Sequence, residues 1–414
     1  MRKVVLGLIA FALVLMLSTA AFLGGLLVGR NTAAPLPSPT PVVPGSTVTP
    51  SPATGSPTPT PDARLNYALL QETLDLINSE FYGKIPDASK LTYGAIRGML
   101  NTLGDPYTSF IEPDVARIIN EDASGQFEGI GATVRMREDG YLEVVRPLAG
   151  QPAEKAGLKA GDLIVEVDGK SIVGMGLYEA LNLIRGKAGT QVTLKVLREN
   201  EKDPLTFTIT RARIEMPIVE YRMLDNGIGY ISLSEFDAKA TQRVDDAIKA
   251  LQEQGMEALI FDLRDNPGGW LDQALGVADL FLKDGVIAIE RSSDGQEQVF
   301  KAHAGDRAEA IRMVVLVNGG SASASEIVAG ALQDRGRAIL IGQNTLGKGS
   351  VQRPHDLSDG SQLRVTIARW FTPNDRSIHG NGLKPDIEVQ IPENTPAGED
   401  PQLQRALEYL QQGQ

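Results

Sequence analysis

The chain has 414 residues, 42% of them hydrophobic and 22% charged, with a net charge of −12; this is ordinary globular material, long enough for two or three domains. The acidic surplus argues against nucleic acid as a general partner. With no Cys and only 3 His, disulfides, thiolate catalysis and cysteine metal sites are excluded, and imidazole chemistry has little to draw on.

Arg2 and Lys3 precede an uncharged apolar run, Val4–Gly29, closed by Arg30. Such a run can span a bilayer with its positive end in the cytoplasm. The rest of the chain is then expected outside the cytoplasm, periplasmic or extracellular. Ser18-Thr19-Ala20 resembles a signal-peptide cleavage site, but the run continues to Val28, which favours an uncleaved anchor. Residues 1–30 are therefore read as a transmembrane anchor or signal segment. Residues 31–61 are rich in Pro, Thr and Ser and are expected to be a disordered linker.

Residues 62–120 form a helical region. Leu65, Leu69, Leu70, Leu74, Ile77 and Phe81 recur at helical spacing. A second helix fits Tyr93–Leu103, and a third starts at Pro113. The apolar stripe should pack onto the next domain; a dimer contact is the alternative.

Residues 121–213 turn to short β patterns at Ala132–Met136, Tyr141–Val145, Asp162–Val167, Gln191–Leu197 and Thr206–Thr210, with a helix at Leu177–Arg185. The turn Gly129-Ile130-Gly131-Ala132 opens the first strand. Exposed N–H groups there form a nest suited to a terminal carboxylate; a plain tight turn is the simpler reading. Pro152–Gly169 resembles the PDZ signature. That resemblance implies that a substrate tail adds to the strand after Gly131, with the Leu177–Arg185 helix as the opposite wall.

Residues 214–395 alternate strands and helices, as in an α/β core, and 396–414 form a C-terminal helix or tail. Two segments carry the chemistry, Asn318–Glu326 (NGGSASASE) and Gly347–Gln352 (GKGSVQ). A serine near position 323 follows an apolar strand and opens a helix, where free N–H groups favour a developing oxyanion. The serines could equally cap that helix. Lys348 can act as a base only when neutral, which burial permits; a solvated loop lysine is the ordinary alternative. Gly342–Gly349 nearly matches a phosphate-binding loop, but Gly349 stands where a hydroxyl is required and a strand pattern follows. No Gly-x-Ser-x-Gly, Ser-x-x-Lys or His-Glu-x-x-His pattern occurs, and His303, His355 and His379 lie in polar stretches expected at the surface.

From about Leu65 to Val389 the chain resembles the carboxy-terminal processing, or tail-specific, proteases. The resemblance implies a multidomain α+β and α/β protein with an N-terminal membrane helix, a helical segment, a PDZ domain and an α/β serine protease core. It implies Ser323 as nucleophile, Lys348 as general base and Gln352 as the residue orienting the lysine. Ala324, Gly268 and Gly269 would line the oxyanion hole. Glu326 matches an acidic position of the motif, although a serine–lysine dyad requires no third, acidic member. Pro267 and Gly320 depart from some members without touching the dyad. No cofactor or metal is implied. The partners implied are protein or peptide substrates with free C-termini, the membrane through the N-terminal helix, and a second copy of the chain as one option. The alternatives are a PDZ scaffold without proteolytic activity and a nucleotide binder.

Overall fold

The structure, a computed structural model, describes residues 64–392, 395–396 and 398–412. The expected anchor Val4–Gly29 and the linker 31–61 lie outside the described residues. Among the described residues no helix is long and apolar enough to cross a membrane.

Helix α1 (Tyr67–Glu80) is capped by Asn66, whose side chain accepts from Leu69 N–H. It buries none of its residues; Leu69, Leu70, Leu76 and Phe81 are exposed. The expected packing of this stripe on the next domain therefore fails for α1. Helix α2 (Ala88–Asn101), capped by Asp87, buries only Leu100. Strand β1 (Ser109–Ile111) joins the core, and α3 (Pro113–Ala123) starts with Pro at its first position, where no N–H is needed.

Strand β2 (Gln126–Gly129) leads into a sheet of β3 (Ala132–Met136), β4 (Leu142–Pro147), β5 (Leu163–Val167), β6 (Lys170–Ser171), β7 (Gln191–Leu197) and β8 (Leu205–Thr210). Its order is β3-β4-β5-β7-β8, with β6 on β5, so β3 is an edge strand. Helices α4 (Pro152–Lys155) and α5 (Leu177–Ile184) close a core around Leu142, Ile164, Leu194 and Ile209. The chain leaves through β9 (Ala212–Glu215), which pairs antiparallel with β2, so the way in and the way out form one two-stranded ribbon.

The core begins with β10 (Val219–Met223), β11 (Ile228–Leu233), α6 (Ala240–Glu253), β12 (Ala258–Asp262) and α7 (Leu271–Asp279). A hairpin, β13 (Val286–Ser292) and β14 (Glu297–Lys301), precedes β15 (Arg312–Val317), α8 (Ala324–Asp334) and β16 (Ile339–Gly342). Then come β17 (Ser350–Asp356), β18 (Gln362–Phe371), β19 (Ile387–Glu388) and α9 (Pro401–Gln411). The main sheet runs β10-β11-β12-β15-β16-β19, parallel from β11 onward. Its strands are apolar on both faces because helices cover both. Leu259 and Phe261 face α6, α7 and α8, whereas Ala258 and Ile260 face α9. Arg264 fixes α9 by bonding Asp262 at 2.6 Å and Asp400 at 2.7 Å. A second sheet, β1-β18-β13-β14 with β17 on β18, is antiparallel.

Candidate active site

The serine turn lies between β15 and α8. Of its three alternating serines, two are consumed structurally. Ser321 Oγ donates to Leu263 O at 2.7 Å and accepts from Asn318 N–H at 3.0 Å; Ser325 Oγ donates to Asn266 O at 2.9 Å. Ser323 is the N-cap of α8, in a capping box with Glu326, so the capping reading holds for it too; it also lines the cavity, with φ 54° and ψ −111°. That left-handed φ is strained for serine and resembles the sharp strand-to-helix turn that lifts nucleophiles out of a backbone. The first N–H of the helix belongs to Ala324, and helix geometry leaves it without an internal acceptor.

Glu326, fully buried, holds this turn to the lysine loop. Its carboxylate accepts from Ser323 N–H at 2.9 Å, Lys348 N–H at 2.9 Å, Gly347 N–H at 2.7 Å and the Thr345 hydroxyl at 2.5 Å. Burial pushes its carboxyl upward, against those four donors. Both segments singled out in the sequence thus meet on one carboxylate.

Lys348 is half-buried and lines the same cavity, of about 780 Å³, as Ser323, Gln352, Gly268, Gly269 and Ala324. Burial first, then the nearby Arg364, holds its amine below the ordinary lysine range, with Glu326 opposing. Its Nζ stands over the Tyr107 ring, 5.8 Å from the centroid. Among the described residues no hydrogen bond joins Lys348 to Ser323 in this state. Gln352 Nε2 donates to Ser350 Oγ at 2.8 Å and Thr366 Oγ1 at 3.2 Å, not to Lys348. Gly268 N–H is likewise turned away, donating to Asn266 Oδ1 at 2.9 Å. Gly268 must be glycine: with φ 107°, a Cβ there would sit 2.8 Å from Ser323 Cβ and 3.0 Å from Ala324 N.

The cavity continues to the small sheet, where Ala132, Thr133 and Val134 of β3 face Leu177, Tyr178 and Leu181 of α5. Gly131 (φ 74°) makes the turn into β3; Gly129 ends β2 and pairs with Ala212. Ile130 O and Gly131 O accept from Ala153 N–H and Leu148 N–H.

The histidines divide. His303 and His355 are exposed. His379 is not a surface residue as expected: it packs edge-on against Tyr107, and its backbone is close enough to Gly349 that a Cβ there would meet His379 N at 2.4 Å. After Lys348 the chain forms β17, not the helix a phosphate-binding loop needs. Sequence reasoning missed the linking role of Glu326, the buried bracket Asn266, Tyr107 under the lysine amine, and Arg364 lining the lysine's cavity. Arg364 had a signal in the alternation of Leu363–Trp370; Tyr107 had none.

Fold and site together define a serine-type peptidase carrying a PDZ domain. The profile of peptidase family S41 matches residues 227–389, that of a PDZ domain residues 143–198, and that of the activating protease CtpB N-terminal domain residues 54–115. The chain is 40% identical over 326 residues to the carboxy-terminal processing protease CtpA of Bacillus subtilis, covering 78% of this chain and 69% of that one. It is 43% identical over 316 residues to the carboxy-terminal-processing protease of Bartonella bacilliformis, covering 75% and 72%. Among solved structures, the photosystem II D1 C-terminal processing protease is 33% identical at a TM-score of 0.50, covering 80% of this chain and 88% of that one. The chain belongs to the carboxy-terminal processing proteases.

Proposed function

We propose that the chain is a membrane-anchored endopeptidase that cleaves near the C-terminal tails of extracytoplasmic proteins with a Ser323–Lys348 dyad. The observation that carries this reading is the single cavity lined both by the β3–α5 groove of the PDZ domain and by Ser323 and Lys348. A substrate tail pairs with the free edge of β3, and its terminal carboxylate meets the N–H groups of Gly129–Ala132. The chain upstream of the tail then runs toward Ser323. Lys348, whose half-buried position favours the neutral amine, takes the Ser323 proton in that form, and Ser323 Oγ attacks the carbonyl carbon. The developing oxyanion is met by Ala324 N–H, joined by the Gly268-Gly269 turn once Gly268 leaves Asn266. Protonated Lys348 passes its proton to the leaving amine, and water then hydrolyses the acyl-enzyme. Between the described state and that step Lys348 Nζ moves from the Tyr107 ring to Ser323, with Gln352 turning to orient it.

The apolar run Val4–Gly29 after Arg2 and Lys3 supports the anchor and the extracytoplasmic address. The exposed stripe of α1 supports self-association through the helical segment.

The test is incubation of the chain from Asp62 onward with unstructured tailed proteins and mass analysis of the products. Ser323→Ala and Lys348→Ala are each expected to lower kcat by about 10⁴-fold or more with the fold intact by circular dichroism. Wild-type turnover in either variant sinks the site assignment. A PDZ scaffold without peptidase activity would give no cleavage in any form of the protein.

A further inference from the structure

We infer that Arg364 is a positioning residue for the base: it stands as a second, unneutralised cation in the cavity and favours the uncharged form of Lys348. The inference rests on the serine–lysine reading above and deepens it.

The ladder of β17 and β18 delivers Arg364 to that place. Gln352 lies opposite Thr366, and Pro354 opposite Arg364. Residues two apart on a strand share a face, so Arg364 and Thr366 lie on the side that Gln352 and Pro354 present to the cavity. Arg364, Lys348 and Ser323 all line it. The Arg364 Nε donates to Gln362 Oε1 at 3.0 Å, a neutral acceptor. Among the described residues neither Arg364 nor Lys348 forms an ion pair.

Asp122, Glu235, Asp272 and Arg185 also line the cavity, Arg185 paired with Asp122, and Asp356 accepts from Gln362 Nε2 at 3.1 Å, but none of them forms an ion pair with Arg364 or Lys348. From α8, Glu326 is the one anion acting on Lys348, and its carboxylate already accepts four donors. From α5, Tyr178 faces Arg364. From β1, Ser109 opposite Arg364 carries no charge. Ahead of β1, Tyr107 lies beneath the lysine amine, while Asp105 accepts from Tyr107 N–H at 3.1 Å and the Thr108 hydroxyl at 2.6 Å. His379 packs edge-on against Tyr107, with ring centroids 5.7 Å apart. Burial lowers Arg364 as well, but a guanidinium stays charged throughout the working range. A like charge disfavours protonation of its neighbour, so Arg364 adds to burial in favouring the neutral form of Lys348.

The experiment compares wild type, Arg364→Gln, Arg364→Lys and Lys348→Ala, all carrying Glu235→Gln because Glu235 lines the same cavity and is pushed up to about 7, measuring kcat/KM on an unstructured tailed protein between about pH 5.5 and about pH 10, so that the acid limb reports the base. Arg364→Gln is expected to move that limb up by about 0.5–1 pH unit, a roughly 3–10-fold loss at pH 7 with a near-wild-type alkaline plateau. Arg364→Lys keeps the limb where wild type has it. A merely structural role lowers the rate at all pH values without moving the limb, and that result overturns the inference. Full turnover in Lys348→Ala instead sinks the dyad itself, whatever Arg364→Gln does. If Arg364→Gln is inactive, the pH dependence of Lys348 acetylation by acetic anhydride, read by peptide mass, needs no turnover. An upward shift of its midpoint supports the role; an unchanged midpoint overturns it.

Discussion

Ser323 occupies a backbone conformation that costs a non-glycine residue on the order of 1–3 kcal/mol. The surroundings hold it there. Ser321 and Ser325 pin the turn on both sides, and Glu326 binds Ser323 N–H from below. The same carboxylate binds the backbone of Lys348, so a change at Glu326 moves both halves of the proposed dyad at once. Glu326→Gln keeps the volume but points an amide N–H at groups that are themselves donors. It is expected to lower kcat by about 10²-fold, with KM much less affected, because a small misplacement of reacting groups is costly. Steady-state kinetics at fixed pH decides this; an unchanged kcat would show that the tie is dispensable.

Between elements, the junction of α3, α5 and the core contains carboxylates at close quarters. Asp122 on α3, and Glu235 and Asp237 in the loop after β11, are all pushed upward by burial. Arg185, at the C-terminus of α5, pairs with Asp122 at 2.8 Å and stacks on Phe127. Among the described residues Glu235 pairs with no cation, and burial, then Asp122 and Asp237, push it up to about 7. A carboxyl raised in the folded state favours its protonated form there. Its stabilising contribution is therefore complete below about pH 4.5 and is lost as pH rises through about 7. Above that the ionised group is a burden of up to about 3 kcal/mol. Glu235→Gln removes the burden. Urea unfolding at pH 8 is expected to show the variant more stable than wild type by about 1–3 kcal/mol, with the gain gone at pH 4.5. An equal difference at both pH values would remove this account.

At the scale of the whole molecule, the two-stranded ribbon of β2 and β9 carries the PDZ domain, and one cavity serves both its groove and the dyad. If the Gly129–Ala132 turn reads the charge of a tail, amidating the substrate's terminal carboxylate should lower kcat/KM by about 10-fold, the loss of one charge-assisted contact. Equal rates for both peptides would leave the turn without that role. The proposed anchor and the exposed stripe of α1 give a further expectation. The full chain should stay with membranes after alkaline carbonate extraction, whereas a chain starting at Asp62 should be soluble and sediment as a dimer. Release of the full chain into the supernatant argues against the anchor, and a monomeric soluble chain against self-association through α1.

The sequence by itself determined whatever local periodicity and local chemistry encode. The strands Ala132–Met136 and Gln191–Leu197 and the buried strands of the main sheet were legible because their apolar runs and turn residues are continuous in the chain. Ser323 and Lys348 were legible because glycines and small serines mark unusual backbone at each. The β13–β14 hairpin was not, since β14 is mostly exposed and polar, and β1 has only three residues. The idle stripe of α1 was misread because periodicity names an apolar face without naming what covers it. Only the tertiary structure decided that Glu326 joins the serine turn to the lysine loop, that Gly268 N–H rests on Asn266, that Tyr107 lies under the lysine amine, and that Arg364 lines the same cavity. The Glu326 and Tyr107 contacts join segments distant in the chain, and the Gly268–Asn266 bond, though local, depends on Asn266 being held by Leu233 O and Ala322 N–H, so no spacing along the sequence records them.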